Sequence, residues 1–231
     1  MKFRARTPLA WRNVTHKKVT LLVSSAAVAF AVLIMFMQLG FLNGLYDSQT
    51  GLMRHLRAEL VLVSREQHTL VTRAFFPRSR LVQAAAVPGV GTVHPIYVED
   101  RASLLRNPGD GRMSGIRVVG FDPAADLFDH PEIEALVPRL ATPLHVLYDR
   151  RSRDFFGPVA EGTRTELGRR EVTVAGVFGL GADYFYDGNV LASEDTFFRL
   201  FGHLHPERVT LGLVRLAPGA DPAEVEMGLR R

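Results

Sequence analysis

Val19–Tyr46 reads VTLLVSSAAVAFAVLIMFMQLGFLNGLY, 28 residues without one Asp, Glu, Lys or Arg. A helix rises 1.5 Å per residue, so the stretch reaches about 42 Å against a bilayer hydrocarbon core of about 30 Å. It is long enough to span a membrane. Lys2, Arg4, Arg6, Arg12, Lys17 and Lys18 precede it with no acid among them, whereas Asp47 follows directly. The basic flank is therefore expected to stay in the cytoplasm, with the rest of the chain outside. A cleavable signal peptide is the competing reading, but its apolar region normally runs about 7 to 15 residues and closes on small residues. This run is too long, and Phe41-Leu42-Asn43-Gly44-Leu45-Tyr46 is a poor cleavage exit. Residues 1–18 are read as a cytoplasmic basic and interfacial segment, 19–46 as a transmembrane helix, and 47–231 as a stalk and outer domain.

The basic composition disappears once the chain is divided. Net charge is +4, but six of the 28 Lys and Arg precede residue 19, which leaves 22 against all 24 Asp and Glu. The outer part is slightly acidic, so a nucleic-acid partner has no support. All three lysines, Lys2, Lys17 and Lys18, also precede the apolar run. A phosphate-loop lysine or a Schiff-base lysine is thereby excluded from the outer part. Cysteine is absent, which excludes disulfides and thiol nucleophiles.

Pro8 and Trp11 suit a short interfacial helix over Thr7–Val19. Within the apolar run, Gly40 and Gly44 form a Gly-x-x-x-Gly pair, Ser25 and Ala29 a similar pair, and Gln38 is a hydrogen-bonding group in lipid. Small pairs let helices approach, and a buried amide seeks a partner on another helix. A lone anchor carrying small residues by chance is the alternative. Beyond the membrane, Leu42, Leu45, Tyr46, Gln49, Leu52, Met53, Leu56 and Leu60 recur at three- and four-residue spacing, which predicts a helical stalk continuing outward.

Leu60–Val63 reads as a buried strand, and Pro77–Ala86 as a short helix stopped by Val87-Pro88-Gly89. Val90–Leu105 is one extended run. Asn107-Pro108-Gly109-Asp110-Gly111 has hairpin turn chemistry, with return expected through Ile116–Phe121. Pro131–Val137 predicts a helix, and Leu144–Tyr148, Glu171–Val177 and Asn189–Ala192 predict strands. Ser193 caps a helix to Phe201 with Glu194 and Asp195 in its first turn. Val209, Leu211 and Leu213 alternate as a strand, and Asp221-Pro222-Ala223-Glu224 opens a final helix. Strands and short helices interleave, so the outer part is read as α+β.

Candidate chemistry is sparse. Gly176-Val177-Phe178-Gly179-Leu180-Gly181 follows a strand, but its spacing is not that of a dinucleotide fingerprint. His203 and His205 have two-ligand geometry without a third ligand at metal spacing, so they read as loop histidines. Asp122, Asp126 and Asp129 lack the Gly and Glu of a calcium loop and read as solvated turn acids. No nucleophile elbow, zincin helix or Ser/His/Asp grouping occurs. Catalytic, cofactor-binding and metal residues are accordingly expected to be none. Phe178, Tyr184, Phe185 and Tyr186 cluster in a Gly-rich segment, either as protein-contact anchors or as a turn folded over the core.

Several words of sequence together resemble the DevC-type permeases of the MacB/FtsX group of ABC exporters. They are Leu9–Val14 (LAWRNV), Met35–Phe41 (MFMQLGF), Leu45–Thr50 (LYDSQT), Val87–Val90 (VPGV), Val118–Pro123 (VVGFDP), Tyr148–Ser152 (YDRRS), Phe178–Gly188 and Leu216–Asp221 (LAPGAD). The resemblance implies a MacB-like α+β periplasmic domain on an inner-membrane helix with a cytoplasmic N-terminus. It also implies a cytoplasmic ABC ATPase, a periplasmic membrane-fusion adaptor, an outer-membrane channel and a homodimer of complete subunits. Cyanobacterial members imply lipid-like or glycolipid cargo. Members carry three further membrane helices and an ATPase-coupling loop after this domain, so the chain is expected to be the N-terminal part of such a permease, unable to couple alone. The rival readings are a signal-anchored periplasmic sensor or scaffold, and an anchored hydrolase.

Overall fold

The computed structural model describes residues 16–66, 74–181, 183 and 185–230, with backbone alone at 47–50. The interfacial helix expected to include Trp11 falls, for residues 7–15, outside the described residues. The chain divides into two units, Met1–Asp47 and Ser48–Arg231. In the first, helix α1 (Lys18–Thr50) carries the apolar run. Lys18–Tyr46 is long and apolar enough to cross a membrane, and none of its most apolar window is buried. Phe30, Phe36, Met37 and Phe41 all stand exposed. Such a sleeve of apolar side chains is stable in lipid, where the helix satisfies its own backbone groups.

The predicted stalk does not form beyond one turn. α1 ends at Thr50, Gly51 turns, and a single 3₁₀ turn at Met53–His55 gives way to extended backbone at Leu56. Glycine is a poor helix residue, and the leucines after it have a better place to go. Leu52 and Leu56 are 5% and 9% exposed, buried in the outer unit's own core. Their helical spacing reflects that burial. Leu60 belongs to a strand.

Strands β1 (Leu60–Leu62), β2 (Phe76–Pro77), β3 (Val90–Glu99), β4 (Leu104–Arg106), β5 (Met113–Gly115) and β6 (Arg117–Phe121) come first. β7 (His145–Asp149), β8 (Arg164–Leu167), β9 (Arg170–Phe178), β10 (Asn189–Ser193), β11 (Arg208–Val209) and β12 (Leu211–Leu216) follow. One mixed sheet runs β1-β12-β3-β6-β10-β7-β9-β8-β4-β5, and β2 pairs separately with β11. β10 lies parallel to β6, and β7 parallel to β9. Helices α2 (Ser79–Ala85), α3 (Pro131–Leu136), α4 (Glu194–Leu200) and α5 (Pro222–Leu229) complete the unit.

Every residue of β6 and β10 is buried, because layers cover both faces of the sheet. Val118, Val190 and Ala192 join Leu81 and Phe197 on one face, where α2 and α4 pack. Val119, Phe121 and Leu191 join Ile133, Leu140, Leu52 and Leu56 on the other. Gly120 lets α4 approach: a Cβ there would meet Phe197 at 2.5 Å. Ser193 caps α4 by accepting from the Thr196 N–H, and Asp221 caps α5 by accepting from the Ala223 N–H, as their sequence patterns require.

Three local expectations are corrected. The β1 strand is an edge, with Val61 and Val63 exposed. The run from Val90 breaks after Glu99, whose buried carboxylate accepts the N–H groups of Asp100, Arg101 and Ala102 at 3.1, 2.8 and 2.9 Å. Three amides converging on one oxygen curl the chain. The Asn107 turn does make a hairpin, but Met113–Gly115 closes it on Leu104–Arg106. Ile116–Phe121 contributes the central strand β6 instead, since its apolar residues are wanted on both faces.

Candidate functional site

Three neighbouring strands bring polar ends together at one edge of the core. β6 begins with Arg117, β7 ends with Asp149 and β10 begins with Asn189, which pairs in register with Arg117. The Asn189 Nδ2 donates to Asp149 Oδ2 at 2.8 Å and to the Gly181 carbonyl at 2.9 Å. Its Oδ1 accepts from Arg117 Nε at 2.8 Å. Arg117 Nη1 reaches Asp183 Oδ2 at 2.9 Å, and both side chains are 8% exposed. The guanidinium lies 4.3 Å from the centre of the Tyr186 ring, whose hydroxyl donates to Asp100 at 3.0 Å. Together these bonds fasten Gly181, Asp183 and Tyr186 to the sheet.

Burial lowers the Arg117 pKa, and Asp183 opposes that shift. A buried ion pair persists when its remaining donors and acceptors are also satisfied. Burial, then Asp100, pushes the Tyr186 hydroxyl up to about 12. Tyr186 is thus a neutral donor under ordinary conditions. Arg117, Asp149, Asn189 and Asp183 were not singled out from sequence. The available signal was a lone Arg opening the apolar run Arg117-Val118-Val119, since a charge at the end of a buried strand needs a partner.

Among the described residues of the glycine-rich segment, the amides of Gly179–Gly181 form no open anion cradle. Gly179 N–H donates to Glu132, and the Leu180 and Gly181 N–H groups donate to the two oxygens of Asp149. Backbone amides that bind phosphate in a nucleotide loop are here taken by carboxylates of the same chain. Gly176 serves packing, as a Cβ would meet Leu136 at 2.6 Å.

The aromatic cluster separates. Phe178 is fully buried, and Tyr186 is half-buried in the polar network, so neither is the exposed anchor considered above. Phe185 is 41% exposed. Tyr184 lies outside the described residues. His203 does more than meet solvent: its Nε2 stands 3.5 Å from Glu99 Oε2. Asp126 and Asp129 stand solvated, 57% and 76% exposed, while facing Arg57, and Asp122 accepts the Ala124 N–H. Among the described residues, no three His, Asp or Glu converge as metal ligands.

Comparison with known proteins places the chain. No curated protein sequence matches it. It is similar to the periplasmic region of MacB from Actinobacillus actinomycetemcomitans, at 12% identity and TM-score 0.48, over 73% of this chain and 78% of that one. It is also similar to the extracellular domain of the noncanonic ABC-type transporter YknZ from Gram-positive bacteria, at 14% identity and TM-score 0.44, over 75% and 87%. A family model describing the MacB-like periplasmic core domain matches residues 21–231, from within the apolar helix to the last residue, and the chain belongs to that family.

Proposed function

We propose that this chain is the first membrane helix and periplasmic domain of a DevC-type permease subunit in a tripartite ABC exporter, anchored in the inner membrane with its N-terminus in the cytoplasm. The observation that carries the reading is the single match to the MacB-like periplasmic core running from Leu21 through the outer unit. Membrane helix and outer domain are thereby treated as one device. Its role is to pass motion, driven by a separate cytoplasmic ATPase, to a periplasmic adaptor and an outer-membrane channel, with lipid-like or glycolipid cargo and a homodimer of subunits.

The absence of any lysine beyond position 18 supports a partner as the source of ATP hydrolysis, because a phosphate loop needs its lysine. The test is capture from membranes of the native host, with the chain tagged and cross-linked in place. Recovery of an ABC ATPase together with a membrane-fusion adaptor supports the proposal. A chain recovered without either, and with a reporter after Gly120 active only in the cytoplasm, overturns it.

A further inference from the structure

Directly after α1, the chain is pinned to the segment that joins β6 to α3. Leu56 bridges Phe128 in antiparallel fashion, the Arg57 N–H donates to the Leu127 carbonyl at 2.8 Å, and the Asp129 N–H donates to the His55 carbonyl at 2.7 Å. Arg57 completes the pin with Nη1 on Asp126 and Nη2 on Glu134, each at 2.5 Å. Asp129 stands 3.8 Å away, and Arg215 approaches Asp126 from β12.

Glu134 lies on α3, and α3 has a second acid two residues earlier. At 3.6 residues per turn, neighbours are about 100° apart, so Glu132 and Glu134 flank Ile133 on its two sides. Ile133 is fully buried against the sheet. Glu132 therefore reaches in the other direction, accepting from Arg150 Nη1 at 2.7 Å and from the Gly179 N–H at 2.9 Å. Arg150 follows Asp149, and Gly179 precedes the Leu180 and Gly181 amides that Asp149 holds. One helical turn, seated on the core by Ile133, thus touches the post-membrane connector on one side and the Arg117 network on the other.

We infer that α3 is a relay: a displacement of the connector at Arg57 is passed through Glu134, α3 and Glu132 to Gly179, Leu180 and Gly181. The inference rests on the proposed role as a transmitter for its use, but its structural content is independent of cargo or partners. A contiguous chain of contacts becomes a coupling path only when a change at one end moves the other. Arg57, Glu134 and Glu132 are positioning residues in this scheme.

The experiment is amide hydrogen exchange on the full chain in lipid nanodiscs. Glu134→Gln cuts the connector side while leaving every Gly179 contact in place. It should speed exchange at Gly179, Leu180 and Gly181 by about threefold or more, with Val119 and Leu191 unchanged, since local openings draw on local contacts. Adding Glu134→Gln to a Glu132→Gln background should then produce no further change at Gly179, the signature of shared coupling. Faster exchange confined to residues 52–58 and 122–134, or an equal rise through β6 and β10, overturns the relay. Failure to capture an ATPase or adaptor removes the exporter reading without touching this result.

Discussion

Arg117 and Asp183 form a buried ion pair, 2.9 Å apart and each 8% exposed, at the start of the central strand. The pair is held by geometry around it: Asn189 takes the Arg117 Nε–H, and the Asp183 Oδ1 accepts the N–H groups of Phe185 and Tyr186. Arg117→Ala leaves Asp183 and Asp149 in the same low-dielectric place with their cation gone. Breaking one side of such a pair costs about 3–5 kcal/mol. Asp183→Asn should cost less, since an amide oxygen still accepts a backbone N–H and Arg117 retains Asn189. Urea unfolding of both variants measures the order; a cost below about 1 kcal/mol for Arg117→Ala contradicts the buried-pair account.

Leu52 and Leu56 offer a direct test of where the long apolar helix gives out. Both are buried among Phe121, Leu127, Phe128 and Ile133. Removing such a leucine typically costs about 2–5 kcal/mol through lost transfer energy and the cavity left behind. In a solvated stalk the same change would be near neutral or slightly stabilising, because alanine is the better helix former. Thermal unfolding of Leu52→Ala and Leu56→Ala therefore separates the two pictures, and near-neutral values would restore the stalk.

The elements that the sequence declared are those with local causes. Helix α1 follows from an uninterrupted apolar run, α4 and α5 from their capping residues, β9 from apolar alternation, and β7 and β10 from short apolar runs. What it hid depends on residues far apart in the chain. Arg117 and Asn189 are 72 positions apart, and nothing near either one names the other. The helical spacing of Leu52 and Leu56 suggests a stalk because a period of three to four arises from any one-sided burial, including burial of the two residues that flank a single 3₁₀ turn. Ile116–Phe121 was assigned to the hairpin because turn chemistry reports the turn and not the strand that returns from it. The pairing of β6 with β10 is a tertiary choice made by two-sided burial.

Acid should loosen the loop end through Glu132. Its carboxyl is held below the ordinary value of 4.5, first by the hydrogen bond from Arg150, with further help from the Gly179 N–H. A depressed carboxylate pKa contributes stability that is present above 4.5 and is lost as pH falls through the folded-state value. The side chain is 44% exposed, so the effect on global stability is small, but its effect on the local bond is not. The Gly179 amide proton, followed by NMR from neutral pH downward, should titrate with a midpoint below 4.5. Glu132→Gln should abolish that titration; an unaltered curve in the variant assigns it to another acid.

Two phenylalanines seven residues apart should behave in opposite ways. Phe178 closes β9 with no exposed surface and packs beside Leu147 and Ile133, whereas Phe185 follows the Asp183 turn with 41% of its surface exposed. Phe178→Ala should cost about 3–5 kcal/mol, the usual loss for a buried aromatic. Phe185→Ala should stay within about 0.5 kcal/mol of the parent, as most surface changes do. If the Gly-rich segment contacts an adaptor, the second variant is the informative one, because exposed aromatics dominate many protein contacts while contributing little to the free domain. Cross-linking yield to a co-expressed membrane-fusion adaptor, measured beside urea unfolding, separates folding from contact. Reduced cross-linking with unchanged unfolding assigns Phe185 to the interface. Unchanged cross-linking, with Phe185→Ala as stable as the parent, takes the adaptor contact away from this segment.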